Sequence, residues 1–292
     1  MANENKLFRT NSFKVVGTLA GAEVKTGVAK NGGYVSVDAV ITAVIDGVNN
    51  EYQVGFFANE TTKDGKHSKL YDTYVGLPEL INKKVEITGE IRENRYWSTN
   101  LGQMVSTQLL SGRWVKGVPA TTADEGTYEI GGFIGRQVTE RKNKNDEVYR
   151  YDVTLGQSNF NGDGMSIFTL HVNPNDREIL NGVESYEIGE TVKLKGKLAF
   201  TVETKTEADP NSGFGEPMMR TFTNKQRNFY IIGGSNPGAI TGESAYDASV
   251  VKVLKEAYDK RDVELQASAK TEAPSAPVVN EAPVTRRQTS LL

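Results

Sequence analysis

The chain has 292 residues, a formal charge of −3 and a pI near 5.7, with no cysteine and two histidines. The missing cysteine excludes disulfides, thiolate zinc sites and cysteine nucleophiles together, and the acidic balance means that any binding to phosphate must rest on local patches. Residues 1–120 hold 14 Lys/Arg against 12 Asp/Glu, whereas residues 121–235 hold 13 against 17, so the two parts differ in sign. The opening Met1-Ala2-Asn3-Glu4-Asn5 lacks the apolar core of a signal peptide, and no apolar run approaches the roughly 20 residues of a membrane span. A soluble, intracellular chain is expected.

The first strand is expected over residues 13–19, where Phe13, Val15, Gly17 and Leu19 share one face. A loop bearing Lys25 and Lys30 then passes through Asn31-Gly32-Gly33 into residues 34–45. There Val35, Val37, Ala39, Ile41, Ala43 and Ile45 alternate, the period of a strand and not of a helix. Asp46-Gly47-Val48-Asn49-Asn50 is a turn, and residues 51–59 return as the second arm of a hairpin. Residues 70–81 fit a short helix or a compact apolar crossover. Two strands follow, over 84–97 and 104–116, around a turn at 98–103.

The order then repeats. Residues 127–138 are a first strand, 148–157 and 165–172 a hairpin, 175–188 a crossover, and 191–205 and 218–232 the fourth and fifth strands. Val85-Glu86-Ile87-Thr88-Gly89-Glu90-Ile91 is echoed by Val192-Lys193-Leu194-Lys195-Gly196-Lys197-Leu198, a recurrence that marks two copies of one β module. Five strands with a crossover between the third and fourth match the Greek-key barrel called the OB-fold. Gly89 and Gly196 are expected where the barrel backbone bends sharply. The fold class is therefore all-β: two tandem five-stranded OB-type Greek-key barrels, with an antiparallel sandwich as the alternative. The modules are placed at 10–117 and 124–234. The short linker 117–123 is expected to hold them near one another without fusing them. A C-terminal helix is expected over 243–267, capped by Ser244 or Asp247, and a disordered tail over 268–292, rich in Ala, Pro, Ser, Thr and Glu.

No catalytic constellation is present. Gly131-Gly132-Phe133-Ile134-Gly135 lacks the following helix that a phosphate cradle requires, and no metal-ligand cluster occurs, so neither an enzyme nor a cofactor is expected. His171 is expected to face solvent or a partner, with no second ligand near it in sequence. What recurs is basic and aromatic residues beside the groove of such a barrel. In the first module Arg92 and Arg95 suit phosphates, while Tyr96 and Trp97 offer faces for bases, one of them alternatively capping the barrel. In the second module Arg136, Arg141, Lys142 and Lys144 form a cationic finger that a solvated hairpin tip would equally tolerate. Arg150 lies on the strand face opposite Tyr149 and Tyr151, together with Asp152 and Thr154, and the two tyrosines are expected in the core. Phe56 and Phe57 point oppositely, and alternation does not say which faces out; Phe57, with Tyr34, is taken as the outward candidate. Arg220 marks the last strand. The row Lys193, Lys195 and Lys197 suits the guarding of an edge strand as well as phosphate.

With these modules and loops, residues 10–234 resemble the OB-fold single-stranded DNA-binding proteins, and among them those of large tailed bacteriophages. The resemblance rests on the paired Val-x-Ile-x-Gly-x-Ile and Val-x-Leu-x-Gly-x-Leu strands and on the order of elements. It implies a protein that coats single-stranded DNA without sequence preference in replication, recombination and repair, in the cytoplasm of the cell or of a viral host. Single-stranded DNA is the expected partner, with RNA and self-association left open and no membrane. Bacterial members end in an acidic tail with an aromatic tip that recruits replication proteins. This chain ends Thr285-Arg286-Arg287-Gln288-Thr289-Ser290-Leu291-Leu292, basic and then aliphatic, so that mode of recruiting replication or recombination proteins does not carry over. The rival readings are a structural or assembly (virion) protein using its β modules for docking, and a carbohydrate-binding pair of barrels.

Overall fold

The computed structural model describes residues 7–29, 32–208 and 219–271. Five strands, β1 (Asn11–Ala29), β2 (Gly32–Ile45), β3 (Val48–Asn59), β4 (Lys84–Ser98) and β5 (Gln103–Gly117), are followed by five more. These are β6 (Glu125–Lys142), β7 (Val148–Ser158), β8 (Met165–Val172), β9 (Thr191–Ala208) and β10 (Met219–Gly234). In the first set β1 pairs with β2 and β4, β2 with β3 and β4 with β5, and a short parallel contact at Val54 and Leu110 closes β5 onto β3. The second set repeats this pairing and closes β10 onto β8 at Tyr230 and His171. Each set is thus a closed five-stranded barrel of the expected order. Helix α1 (Lys69–Val75) and helix α2 (Arg177–Glu184) fill the same crossover in each.

The alternation of the sequence becomes the two faces of these strands. Val35, Val37, Ala39, Ile41 and Ala43 of β2 and Tyr52, Val54, Phe56 and Ala58 of β3 are buried, which leaves Phe57 outside. In β7 the pattern departs from simple alternation, because every residue from Tyr151 to Ser158 is buried. Tyr149, expected in the core beside Tyr151, is exposed.

Gly89 and Gly196 are required by close approach. A β-carbon at Gly89 would sit 2.0 Å from the Ser111 carbonyl oxygen and 2.8 Å from the Phe13 ring. One at Gly196 would sit 2.2 Å from the Tyr230 carbonyl oxygen and 2.3 Å from the Tyr128 ring. Phe13 and Tyr128 are therefore equivalent residues, and they face one another where β1 pairs antiparallel with β6. Antiparallel pairing of equivalent residues relates the two barrels by an approximate two-fold axis at this seam.

The seam also fuses the modules, contrary to the expectation of a tether. One hydrophobic cluster runs through both barrels. Tyr52 donates its hydroxyl to the Leu198 carbonyl at 2.8 Å, and Lys84 pairs with Asp124, the residue before β6, at 2.5 Å. Helix α3 (Ala248–Thr271) starts after Asp247, whose carboxylate accepts from the Val250 N–H at 2.8 Å and so caps it. Its residues Val251, Leu254 and Tyr258 pack with Tyr246 on Phe133 and Met165 of the second barrel. Residues 268–271 complete the helix, and the rest of the expected disordered tail, 272–292, lies outside the described residues.

Candidate functional site

The fourth and fifth strands of each barrel continue past its wall as a two-stranded ribbon, and each ribbon leans on the other barrel. The β4–β5 ribbon reaches the edge of β8. There the Gln108 side chain accepts from the Thr169 N–H at 2.6 Å and donates to its carbonyl at 3.1 Å, standing in for a neighbouring strand. Glu93 accepts from the Ile167 N–H at 3.1 Å in the same way. These contacts satisfy backbone groups that the end of a ladder leaves open. Reciprocally, the β9–β10 ribbon lies on β3, through a bridge between Asn50 and Thr201, an ion pair of Lys225 with Glu51 at 2.5 Å, and a hydrogen bond from Arg227 to Gln53. Two grooves result, each between the outer face of one barrel and the ribbon of the other.

The first groove, about 780 Å³, lies between the β7–β8 face and the β4–β5 ribbon, with α3 at one side. Six cations line it against two carboxylates, in a chain of net charge −3. On its floor Arg150, Asp152 and Thr154 project from one face of β7, as the alternation predicts. Asp152 is only 1 % exposed. Arg141 donates to it at 2.6 Å, Arg150 Nε lies 3.0 Å away and His171 Nδ1 3.1 Å away. Burial pushes the Asp152 carboxyl up, but the hydrogen bonds of His171 and Arg141 and the charge of Arg150 outweigh it and hold its pKa down to about 2. Arg136 is steered by a 2.7 Å bond to the Thr154 hydroxyl. Each guanidinium carries five N–H donors, so these few acceptors cannot exhaust three arginines.

The second groove, about 520 Å³, lies between the β2–β3 face and the β9–β10 ribbon. Phe57 is 60 % exposed on its wall and stacks on Tyr34, ring centres 5.8 Å apart. Lys25, Ser36 and Phe57 form one row across three strands. Arg92 lines this groove, while Arg227 and Gln108 line both.

The structure thus gathers Arg136, Arg141 and Arg150 at the first groove and Tyr34, Phe57, Arg92 and Lys25 at or beside the second. Arg95 lines the first groove, but its guanidinium is committed to Asp262 of α3 by two hydrogen bonds, with the Tyr258 ring 4.5 Å away. Tyr96 is exposed and Trp97 half-buried at the far end of the β4–β5 ribbon, and neither lines either groove. Lys142 pairs with Asp146 at the β6–β7 tip, where Lys144 also lies, and Arg220 sits on the outer part of the β9–β10 ribbon. Lys30 lies outside the described residues.

Two expectations change. His171 is buried against Asp152 and does not face solvent. Strand β9 lies between β6 and β10, so its lysine row guards no edge; Lys193 and Lys197 pair with Glu129 and Asp46. Sequence reasoning missed Asp152, Arg227 and Gln108 as parts of the site. The available signal was the outward phase of Arg150-x-Asp152-x-Thr154. Among the described residues no group of three or more His, Cys, Asp or Glu suits a metal ion, and no helix is long and apolar enough to cross a membrane.

Residues 9–270 match the family described as YorF. No curated protein sequence matches the chain. Among solved structures it is similar to the wild-type single-stranded DNA binding protein from Thermus aquaticus, with a TM-score of 0.51 and 12% identity, covering 80% of this chain and 96% of that one. A deletion mutant of the same Thermus protein aligns with the same score and identity, covering 80% of this chain and 97% of the mutant. Likeness at this identity shows the fold, and it spans both barrels.

Proposed function

The chain belongs to the YorF family, whose description carries no function, and from the fold and its grooves we propose that it is a non-enzymatic binder of single-stranded DNA. In this reading it coats exposed strands without sequence preference during replication and recombination. The observation that carries it is the concentration of six cations in a groove against the β7–β8 face, in an acidic chain whose fold resembles that of a single-stranded DNA binding protein. Arg136, Arg141 and Arg150 would follow phosphates, held in place by Asp152 and Thr154. Phe57, backed by Tyr34, would take a base on its exposed face, which a base buried in a duplex cannot offer. Contacts to phosphate and stacking on a ring carry no sequence preference of their own.

The test is a fluorescence-anisotropy titration of labelled oligo(dT), at low and moderate salt, with duplex as competitor. The expected result is binding that falls by about tenfold or more between roughly 50 and 200 mM salt, as counterions are released, and that duplex fails to displace. Absence of binding at low salt overturns the reading.

A further inference from the structure

Two barrels that each bind DNA are ordinarily pictured as separate sites whose tether raises the local concentration of the second. Here the contacts argue otherwise. The barrels share a β1–β6 ladder and one core, and each groove takes one wall from the other barrel's ribbon. Neither groove exists without both barrels. The grooves are also adjacent, sharing two lining residues. Arg227 leaves β10 between them, lining both, with its guanidinium 5.9 Å from the Phe200 ring and bonded to Gln53 of β3. Gln108, from the opposite ribbon, lines both from the other side.

We infer that the two grooves form one continuous path for a single strand, with Arg227 as the contact at its crossing point. This rests on the proposed binding of single-stranded DNA and deepens it. The path is chemically divided. At one end the arginines around Asp152 hold phosphates; at the other the exposed face of Phe57 holds a base. Arg227, exposed on its ribbon and charged, spans the change-over, where the strand passes from one barrel to the other.

The absence of cysteine allows a direct test on the full chain. Ser36→Cys places a dye beside Phe57, and Thr107→Cys places one in the arginine groove. An oligo(dT) of about 20 nucleotides, within reach of two OB barrels, carries a quencher at its 5′ or its 3′ end. One strand per chain is expected, with one end quenching the Ser36→Cys dye and the other end the Thr107→Cys dye. Arg227→Ala should weaken this oligonucleotide about tenfold, the loss of one charge-assisted contact, and Arg227→Lys should restore part of that loss. Two strands per chain, ends that quench both dyes alike, or an unchanged affinity in Arg227→Ala would overturn the single path while leaving DNA binding standing. Failure of the unsubstituted chain to bind overturns the underlying function instead.

Discussion

Phe57 and Tyr96 are both exposed aromatics, but only Phe57 stands in a groove. Phe57→Ala is therefore expected to weaken oligo(dT) binding by about 1–3 kcal/mol, the range for one stacked base. Tyr96→Ala should cost less than half of that, and both variants should keep the parental melting temperature. Alternation showed that Phe56 and Phe57 face opposite ways, but a period has no sign. What decided the matter is that Tyr52 and Val54, in phase with Phe56, pack against the rest of the core. Asp152 supplies a pH prediction. Its carboxyl titrates near 2 when folded, below the ordinary value of about 3.9. A depressed folded pKa contributes stability that is complete above the unfolded value and is lost as pH falls through the folded one. Urea melts should accordingly lose about 2 kcal/mol between roughly pH 4 and pH 2 from this group, and Asp152→Asn should abolish that component. At neutral pH the same substitution leaves two arginines around a buried position with less to offset them, so it should destabilise by about 3 kcal/mol.

The barrel strands were legible because each has a face to bury, and burial imprints a period of two. The outer ends of the first strands were not. The segment after Leu19 that carries Lys25, expected as a loop, continues β1 to Ala29, and β6 runs on to Lys142 beyond the strand expected over 127–138. Beyond the barrel wall a strand pairs only with its neighbours and covers no core, so its apolar alternation lapses while its hydrogen bonds continue. Helix α3 was legible in kind and in its cap, Asp247. Its docking was not, since the partners of Asp262 and Tyr258 are Arg95 and Glu93, remote in sequence and in the other barrel. The first turns of α3 are held by buried apolar residues, and its later turns by the Arg95–Asp262 pair. Asp262→Asn is thus expected to raise amide exchange selectively over residues 259–269 and to lower global stability by about 1–3 kcal/mol, because the pair is charge-assisted and mostly shielded from water.

At the scale of the molecule, a repeat was readable and fusion was not. The sequence shows two modules and a short linker, and nothing in residues 117–123 reveals that β1 and β6 form a ladder. The shared core predicts cooperative unfolding. Both tryptophans, Trp97 and Trp114, lie in the first barrel, so their fluorescence reports that barrel while far-ultraviolet dichroism reports both. Coincident denaturation curves are expected; a separate, earlier transition in either signal would mean that the barrels stand alone. The two-fold at the β1–β6 seam has one more consequence. A polynucleotide has a direction, whereas a dyad maps a path onto itself reversed. A strand laid through both grooves therefore runs 5′ to 3′ over one barrel and 3′ to 5′ over the matching elements of its mate. Identical contacts could not serve both passages. Arginines gathered on one half and an exposed ring on the other are what a directional polymer requires of a frame that has no direction of its own.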